Sequence, residues 1–341
     1  MNRQRPFTKL KNIKDASKLP KEEKVKSNTQ VTKVLITGGC GFIGSHLSRA
    51  LLEQGVSVRV LDDLSTGTKN HLPHEVELIE GSLLDKDLVA HSVEGIHICY
   101  HLGAVASVEK SITNFSKTTA INLLGTIHLF ETISKLSVPI PIIYASSAAV
   151  YAGYTKLPFH EDLSPLPSSP YGADKGAVEL YAKACFQTYQ IPTIGFRFFN
   201  VYGPGQDSNS PYSGVISIFC DKIRKGEEIT IFGNGTQTRD FIHISDVICY
   251  LVKALEFPFH GCQIYNLCTG VAISINQLVD TFEQLLDKKI FRKWVTPRKG
   301  EPKASLGDPR RTIRDFDIKP QCSLEEGLKT LIESQERNLC V

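Results

Sequence analysis

Apolar positions near the start of the chain change their spacing twice. A short β-branched run over residues 34–36 predicts a buried strand, and residues 45–54 then follow a helical period that ends at Gly55. A second apolar run over residues 56–61 predicts another strand. The order strand, helix, strand predicts an α/β fold built on a parallel sheet.

The turn between the first strand and the first helix is rich in glycine. Gly38, Gly41 and Gly44 recur at intervals of three residues, which lets the chain turn tightly, approach a pyrophosphate and pack the helix against the sheet. Asp62 ends the second strand, where a carboxylate would bind ribose hydroxyls and repel a 2′-phosphate, with Asp63 as the second choice. No arginine follows in "DDLSTG", so the sequence predicts NAD rather than NADP.

Two later segments supply groups that could move a proton. The apolar stretch "PIIYASSAAVYA", residues 141–152, reads as a strand that ends in Ser146 and Ser147, and ligands bind beyond the carboxyl ends of such strands. Tyr171 and Lys175 are four residues apart on one face of a predicted helix. A free phenol has a pKa of about 10, and a nearby ammonium together with the positive nicotinamide ring of NAD should favour the phenolate enough for the tyrosine to act as a base.

Composition limits the class of protein. The 341 residues are 41% hydrophobic and 22% charged, as is usual for a globular protein. No apolar run reaches the roughly 18 to 20 residues that would span a bilayer, so we expect no membrane insertion. The nine cysteines lack metal-ligand spacing, which predicts no metal site and a reducing, cytoplasmic location. We expect no nucleic-acid partner.

Positive charge is concentrated at the start of the chain. Residues 1–30 hold nine Lys/Arg and three Asp/Glu, although the formal net charge of the whole chain is only +3. This basic N-terminal extension lacks the apolar segment of a secretory signal. It is either a solvated extension partly draped on the body or a contact for an acidic partner or membrane surface.

The GxxGxxG spacing and the Ser, Tyr and Lys residues resemble the extended short-chain dehydrogenase/reductase family, the NAD-dependent epimerases and dehydratases. The match is closest to UDP-sugar 4-epimerases and runs from about Lys33 to Glu333. It is carried by "GSLLD" (81–85), "HLGA" (101–104), "NLLGT" (122–126), "SSAAVYA" (146–152) and "RFFNVYGPGQ" (197–206).

The resemblance implies a Rossmann-type doubly wound parallel sheet with a smaller C-terminal α/β substrate domain. The implied NAD-binding domain is residues 31–200, with part of 201–262 returning to it, and residues 201–335 mainly bind the nucleotide sugar. The helix that carries Tyr171 commonly forms part of a four-helix bundle in a homodimer of this family. Its apolar side chains Val178, Tyr181, Ala182 and Cys185 could instead be buried within one subunit.

The resemblance also assigns the cofactor contacts. Ser82 stands where the family usually has an aspartate beside adenine, and His101 is either a buried structural residue or a direct participant. The implied NAD-binding residues are Gly38, Gly41, Phe42, Ile43, Gly44, Asp62, Asp63, Ser65, Thr66, Gly67, Ser82, Leu83, His101, Leu102, Gly103, Ala104, Asn122, Tyr171 and Lys175.

Substrate contacts follow from the same motifs. Asn200 should bind a substrate phosphate, Arg239 and Arg298 should clamp the diphosphate, Phe232 should lie by the uracil, and Glu301 should accept a ribose hydroxyl. The full implied set is Ser146, Ser147, Asn200, Gly214, Val215, Ile231, Phe232, Arg239, Arg298, Glu301 and Ser305.

The two residues after Ser147 decide between reactions. Dehydratases of the family carry an acidic pair there and decarboxylases a glutamate, whereas this chain has Ala148 and Ala149. The implied reaction is therefore C4 epimerisation of a UDP-hexose by Ser147, Tyr171 and Lys175, through a transient 4-keto sugar. Such sugars usually supply surface polysaccharides.

The sugar itself is predicted from one position. Ser305 stands where some epimerases place a bulky tyrosine, so it should leave space for an N-acetyl group. This favours UDP-N-acetylglucosamine and UDP-N-acetylgalactosamine, with the UDP-glucose and UDP-galactose pair as a further substrate. The alternatives are a UDP-uronic acid 4-epimerase and a non-catalytic NAD-binding sensor or scaffold.

Overall fold

The first strand, the first helix and the second strand follow the hydrophobic pattern of residues 34–61. The computed structural model describes residues 33–207, 214–297 and 302–337, so the N-terminal extension of residues 1–30 lies outside the described residues. The first elements are β1 (Lys33–Thr37), α1 (Phe42–Glu53), β2 (Ser57–Asp62), β3 (Glu77–Glu80), α2 (Lys86–Ser92), β4 (Ile98–His101), α3 (Val108–Thr113), α4 (Phe115–Thr119), α5 (Gly125–Ser134) and β5 (Ile142–Ser147). Short 3₁₀ turns lie at Lys69–His71 and Ala148–Tyr151, and a π-helical turn lies at Ala120–Leu124.

The second half begins with the long helix that carries Tyr171 and Lys175. Its elements are α6 (Pro170–Tyr189), β6 (Thr193–Phe198), β7 (Asn200–Tyr202), α7 (Val215–Arg224), β8 (Ile229–Phe232), β9 (Thr238–Arg239), β10 (Phe241–His243), α8 (Ile244–Lys253), β11 (Cys262–Leu267), β12 (Ile273–Ser274), α9 (Ile275–Leu286), β13 (Arg292–Val295), α10 (Arg310–Phe316) and α11 (Leu324–Arg337).

Seven parallel strands form the central sheet in the order β11-β6-β5-β4-β1-β2-β3. The order reverses between β1 and β4, which opens a crevice at the carboxyl ends of the strands. The predicted Rossmann-type parallel sheet is therefore confirmed. The domain boundary at residue 200 stays a prediction, although β11 returns to this sheet beside β6.

Both faces of the sheet are covered by helices, which is why its inner strands, such as β1 and β4, are buried and largely apolar. Val34 and Ile36 of β1 pack on the face covered by α1 and α8, where Leu47 contributes a fully buried side chain. Leu35 points to the opposite face, which α2, α5 and α6 cover. The side chains of residues 34–36 thus pack alternately into two hydrophobic cores on opposite sides of the sheet.

A third core lies outside the central sheet. It is formed by the inner faces of α7, α9 and α11 together with β8, with Phe219, Leu278 and Phe282 among its buried side chains. Strand β8 pairs with β13, and β7 pairs with β10. This packing gives the residues after β7 an apolar core of their own. Within the described part of the chain, no helix is both long and apolar enough to cross a membrane.

Helix α6 uses most of its predicted apolar side chains inside the subunit. Val178 and Ala182 are buried against α2 and α5, and Cys185 is partly buried in the same core. Tyr181 remains largely exposed, as does its neighbour Leu180. Burial within one subunit is therefore the correct alternative for Val178, Ala182 and Cys185.

Candidate active site

A cleft of about 370 Å³ lies at the carboxyl edge of the sheet, at the switch point between β1 and β4. Ser146 and Ser147 line it at the end of β5. Most of the predicted cofactor-binding residues line it as well: Gly38, Gly41, Phe42, Ile43, Gly44, Asp62, Asp63, Ser65, Thr66, Ser82, Leu83, Leu102, Gly103, Ala104, Tyr171 and Lys175. The residues named here come from six separate segments of the chain.

The glycine-rich turn forms the floor of the cleft. Gly38 has φ +71°, and a Cβ there would come within 2.7 Å of the Gly103 backbone, so a larger residue would push two loops apart. Helix α1 begins at Gly41 without a side-chain cap, which leaves the first backbone N–H groups of the helix, at Phe42 and Ile43, without a side-chain partner. This uncapped N-terminus fits the pyrophosphate of a dinucleotide.

Asp62 ends β2 at the rim of the cleft. Its two carboxylate oxygens accept hydrogen bonds from the backbone N–H groups of Cys40 (2.9 Å) and Leu64 (2.8 Å), which fix its direction. Burial raises the pKa of Asp62, and these two bonds oppose the rise. Each oxygen keeps a lone pair for a ribose hydroxyl. Asp63 is exposed and accepts a bond from the Ser65 N–H (3.0 Å).

His101 lies beneath the cleft and does not line it. Its two ring nitrogens are 2.8 Å from the hydroxyls of Thr37 and Thr126. Because the Thr126 hydroxyl donates to the Asn122 carbonyl (2.5 Å), it accepts from the Nε2–H of His101, and the Nδ1 atom accepts from Thr37. Burial, and secondarily the charge of Lys175, lower the pKa of His101 to about 3. The geometry therefore favours the structural alternative for this histidine.

Two other predicted cofactor residues also lie behind the lining. Gly67 packs against the backbone of Cys40, where a side chain would collide. The amide oxygen of Asn122 accepts a hydrogen bond from the Val105 N–H (2.7 Å), and Val105 itself lines the cleft. Gly67 and Asn122 thus support residues that line the cleft without lining it themselves. Ser82, which replaces the family's aspartate, caps the following turn through the Leu84 N–H (3.2 Å).

The three predicted catalytic residues meet on one wall of the cleft. The Lys175 ammonium donates to the Ala145 carbonyl (2.8 Å) and lies 5.9 Å from the centre of the Tyr171 ring. The Ser147 hydroxyl accepts a bond from the Ala149 N–H (3.1 Å) and is hydrogen-bonded to the Tyr171 side chain. A phenol, a hydroxyl and an ammonium are thus brought together.

Burial is the main influence on the ionisation of this group. Burial raises the pKa of Tyr171, and the hydrogen bond with Ser147 only partly opposes this. The Lys175 ammonium is bonded to the Ala145 carbonyl and not to the phenol, so no hydrogen bond from the lysine opposes the effect of burial. Burial lowers the pKa of Lys175 to about 8, with the charge of Asp174 acting in the opposite direction.

Ser146 is fixed by a buried ion pair that sequence reasoning missed. Its hydroxyl donates to Glu179 (2.5 Å), and Arg197 donates to both oxygens of the same carboxylate (2.8 and 2.7 Å). Arg197 also donates to the Tyr151 hydroxyl (2.6 Å). Glu179 falls four residues after Lys175 on the same helix face, but this spacing does not show that the carboxylate is buried or that Arg197 of β6 is its partner. The network ties β5, β6 and α6 together behind the cleft.

Asn200 lies beside the cleft, between two residues that line it. Its amide donates to the backbone carbonyl of Asp240 (2.9 Å). The buried carboxylate of Asp240 accepts bonds from the backbone N–H groups of Thr269 (2.8 Å), Gly270 (2.9 Å) and Gly307 (3.3 Å). Asp240 therefore joins three loops around Asn200, a role that its sequence position alone did not reveal.

Arg239 and Ser305 are brought together by one strand. The Arg239 guanidinium donates to the carbonyls of Thr238 (2.8 Å) and Pro302 (2.9 Å). The Ser305 N–H donates to the same Thr238 carbonyl (3.1 Å). Arg239 was predicted to bind the diphosphate and Ser305 to limit the size of the sugar. Their segments are therefore adjacent in the structure.

The remaining predicted substrate residues are Gly214, Val215, Ile231, Phe232, Arg298 and Glu301. The first two begin α7 without a side-chain cap. Ile231 is buried in the third core, so a ligand could reach its backbone but not its side chain, while Phe232 beside it is only half-buried. Arg298 and Glu301 lie outside the described residues.

Gln206 lines the cleft on the side of the predicted sugar and was not anticipated. Its amide oxygen accepts a hydrogen bond from the Ser217 hydroxyl of α7 (2.5 Å), and its amide nitrogen donates to the Val201 carbonyl (3.3 Å). It connects the cleft to the helix that begins at Gly214. The motif "NVYGPGQ" contained this residue, and its conformation depends on α7, which is distant in sequence.

A doubly wound sheet, an uncapped helix N-terminus at its switch point and a Ser, Tyr, Lys group beside it define a dinucleotide-dependent enzyme of Rossmann type. Among the residues that the structure describes, no group of three or more His, Cys, Asp or Glu residues could hold a metal ion.

The chain belongs to the NAD-dependent epimerase/dehydratase family, whose model matches residues 34–268. The UDP-glucuronate 4-epimerase of Thermodesulfobacterium geofontis is 31% identical, over 89% of this chain and 96% of that protein. The predictions of the family, of an NAD-dependent enzyme and of NAD as its cofactor are confirmed.

Solved structures agree with this assignment. The UDP-glucose 4-epimerase of Thermotoga maritima, solved with UDP-glucose, has a TM-score of 0.85 at 32% identity, covering 90% of this chain and all of that one. The UDP-N-acetylglucosamine 4-epimerase of Methanobrevibacter ruminantium, in complex with UDP-N-acetylmuramic acid, also has a TM-score of 0.85 at 32% identity, over 90% and 99% of the two chains. The predicted resemblance to UDP-sugar 4-epimerases is confirmed.

Proposed function

We propose that this protein interconverts the C4 epimers of a UDP-hexose. The observation that carries the proposal is the meeting of Ser147, Tyr171 and Lys175 on one wall of the dinucleotide cleft, followed by two alanines where proton-transfer groups would serve other reactions. The relatives described above, which match nearly their whole length, are named for the same reaction on different sugars. NAD supplies a reversible two-electron acceptor to the site.

The side chains divide the proton chemistry among them. The Tyr171 phenol oxygen takes the proton of the C4 hydroxyl and later gives it back. The Ser147 hydroxyl, bonded to Tyr171 and oriented by the Ala149 N–H, holds the substrate hydroxyl in line. The Lys175 ammonium lies 5.9 Å from the centre of the Tyr171 ring. Its positive charge would favour the phenolate form of Tyr171 more than an apolar side chain at this position would.

Epimerisation also requires the sugar to turn while its nucleotide stays fixed. Asn200 and Arg239 would hold the diphosphate, and both are anchored to backbone carbonyls on the rim. Arg298 and Glu301 would add contacts to the phosphate and the ribose. If the nucleotide is bound tightly and the sugar ring weakly, the 4-keto sugar can rotate and present either face to the same site.

We place the preference with UDP-N-acetylglucosamine and UDP-N-acetylgalactosamine. The small side chain of Ser305, whose backbone is tied to Thr238 beside Arg239, leaves space for an N-acetyl group. A relative of equal similarity acts on UDP-N-acetylglucosamine by name, which supports this choice. The UDP-uronic acid alternative has support from the named glucuronate enzymes and requires a cation for the C6 carboxylate.

The deciding experiment is a substrate panel without added NAD. Purified protein is incubated with UDP-N-acetylglucosamine, UDP-glucose and UDP-glucuronate, and the epimers are separated by anion exchange. We expect the N-acetylated sugar to react fastest, and Ser305→Tyr to slow it more than UDP-glucose. Exclusive turnover of UDP-glucuronate would establish the uronic acid alternative, and no turnover of any sugar would favour a sensor or scaffold.

We also propose a cytoplasmic homodimer formed through α6. Leu180 is 65% exposed on this helix, and Ile112 (61%) and Phe115 (62%) are exposed on the adjoining α3 and α4. A second copy would cover these side chains with a four-helix bundle. Light scattering should give twice the chain mass, and Leu180→Glu should give monomers. The eight cysteines of the described residues are free thiols, which suits a reducing compartment.

A further inference from the structure

A buried carboxylate lies between the two residues that define the catalytic helix. Asp174 follows Tyr171 by three positions and immediately precedes Lys175, yet it does not line the cleft. Only 4% of its surface is exposed. Among the ion pairs of the described residues, none neutralises it directly. A buried charge is costly unless it is held by hydrogen bonds, so its partners indicate its purpose.

Those partners lie on the segment that leads into the π-helical turn Ala120–Leu124. The Thr119 hydroxyl donates to one oxygen of Asp174 (2.8 Å), and the Asn122 amide nitrogen donates to the other (3.2 Å). A carboxylate accepts and never donates, so it forces Asn122 to turn its NH₂ group toward α6. The carbonyl end of the amide must then point the other way.

The other end of Asn122 contacts the wall of the cofactor cleft. Its amide oxygen accepts the Val105 N–H (2.7 Å), and its amide nitrogen also donates to the Val105 carbonyl over a longer distance (3.4 Å). Residues 102–106 line the cleft along one side. A reversed amide would place an NH₂ group against that N–H and break the bond. The Asp174 carboxylate (3.2 Å) and the Val105 carbonyl (3.4 Å) both accept from the NH₂ group of Asn122, and the carboxylate is the one that links this orientation to the helix of Tyr171 and Lys175.

We propose that Asp174 is a positioning residue that orients Asn122 and thereby fixes the Val105 wall against which NAD binds. It couples the helix of Tyr171 and Lys175 to the opposite side of the cofactor cleft. The proposal concerns the site of the proposed function but rests only on its dinucleotide, since no contact with a sugar enters the argument. Positioning by Asp174 should therefore appear in cofactor binding whatever the substrate is.

An exchange of the two side chains tests the proposal. Asn122→Asp places two carboxylates face to face, and we expect NADH to bind at least about tenfold more weakly near pH 8. The double variant Asp174→Asn with Asn122→Asp rebuilds the bridge, since the new amide donates to the new carboxylate, which still accepts the Val105 N–H. Only the longer bond to the Val105 carbonyl (3.4 Å) is lost, because a carboxylate has no proton to donate. We expect its affinity for NADH to return to within about threefold of the wild type.

Affinity is measured by NADH fluorescence with protein freed of bound nucleotide, and folding by circular dichroism. The matched control is Asp280→Asn, an exposed aspartate paired with Arg292, which should leave NADH binding unchanged. Recovery in the double variant supports the proposal even where Asn122→Asp alone folds poorly. A double variant that binds no better than Asn122→Asp, or an Asn122→Asp protein that binds like the wild type, would overturn it. Neither result depends on epimerase activity.

Discussion

The Lys175 ammonium lies 5.9 Å from the centre of the Tyr171 ring and is hydrogen-bonded to a backbone carbonyl rather than to the phenol. The lysine is therefore an electrostatic neighbour of the tyrosine and not its proton partner. Ser147 is the group that shares a hydrogen bond with the phenol. Proton transfer and charge stabilisation are divided between different side chains, and the two roles can be tested separately.

Tyr171→Phe should remove the proton transfer while leaving the cleft intact. Because the ring remains, NADH should bind within about threefold of the wild type, whereas turnover should fall about 100- to 10,000-fold, the usual contribution of a general acid–base group. Turnover is measured by product separation from the UDP-sugar that reacts fastest. Tyr189→Phe, at the exposed end of the same helix, is the matched control. Full activity in Tyr171→Phe would remove this tyrosine from the mechanism.

Burial of the Lys175 ammonium should lower the stability of the folded protein. Its pKa falls from 10.5 to about 8 on burial, so the unfolded chain binds the extra proton between these values. Stability should therefore rise as the pH increases from about 8 to 10.5, and the full cost applies below pH 8. Each unit of pKa difference between the unfolded and folded states corresponds to about 1.4 kcal/mol of stability. Replacing Lys175 would remove this cost but also the hydrogen bond to Ala145, which offsets part of the stabilisation.

Lys175→Met is accordingly expected to stabilise the protein by about 2 kcal/mol at neutral pH while abolishing turnover. The advantage should shrink as the pH rises toward 10.5, the pKa of an unperturbed lysine. Urea unfolding at two pH values measures both effects. Lys183→Met, at an exposed position of the same helix, should change neither stability nor turnover appreciably. A variant at residue 175 that is less stable than the wild type at pH 7 would contradict the argument.

The sequence predicted those parts of the site that depend on local spacing. The turn at Gly38, the acid at Asp62 and the pair Tyr171 and Lys175 follow from short-range periods of strand and helix, and the structure places all four on one cleft. Each strand end was predictable because apolar runs stop where a parallel sheet meets its loops. Ser147 followed from the same rule.

The second layer of the site could not be predicted in this way. Glu179 and Asp174 look like ordinary helix charges, and their partners come from other strands and helices. Ile231 was assigned to the substrate because of its motif, yet the pleat of β8 turns its side chain into the third core. Only the folded chain shows which charges are buried and which faces are turned inward.

The ion pair of Glu179 and Arg197 should be essential for stability. Their side chains are 7% and 3% exposed, so Glu179→Ala would leave a buried guanidinium without its partner. We expect a loss of about 3 to 5 kcal/mol in the free energy of unfolding, measured in urea. Glu325→Ala, which breaks an exposed pair with Lys329, should cost less than about 1 kcal/mol. An equal decrease in the free energy of unfolding in the two variants would show that burial of the ion pair does not determine its contribution to stability.

Asp62 should set the choice between NAD and NADP. A 2′-phosphate would approach a buried carboxylate that is held in place by the N–H groups of Cys40 and Leu64 and cannot swing away. Asp62→Ser removes that charge, and we expect NADPH to bind at least about tenfold more tightly relative to NADH, as like-charge repulsion is relieved. Fluorescence titration with both reduced dinucleotides measures the ratio. Asp63→Ser is the matched control, because Asp63 is exposed and directed at Ser65. If the change at residue 63 shifted the ratio and the change at residue 62 did not, the ribose contact would belong to Asp63, and the end of β2 would not select the cofactor.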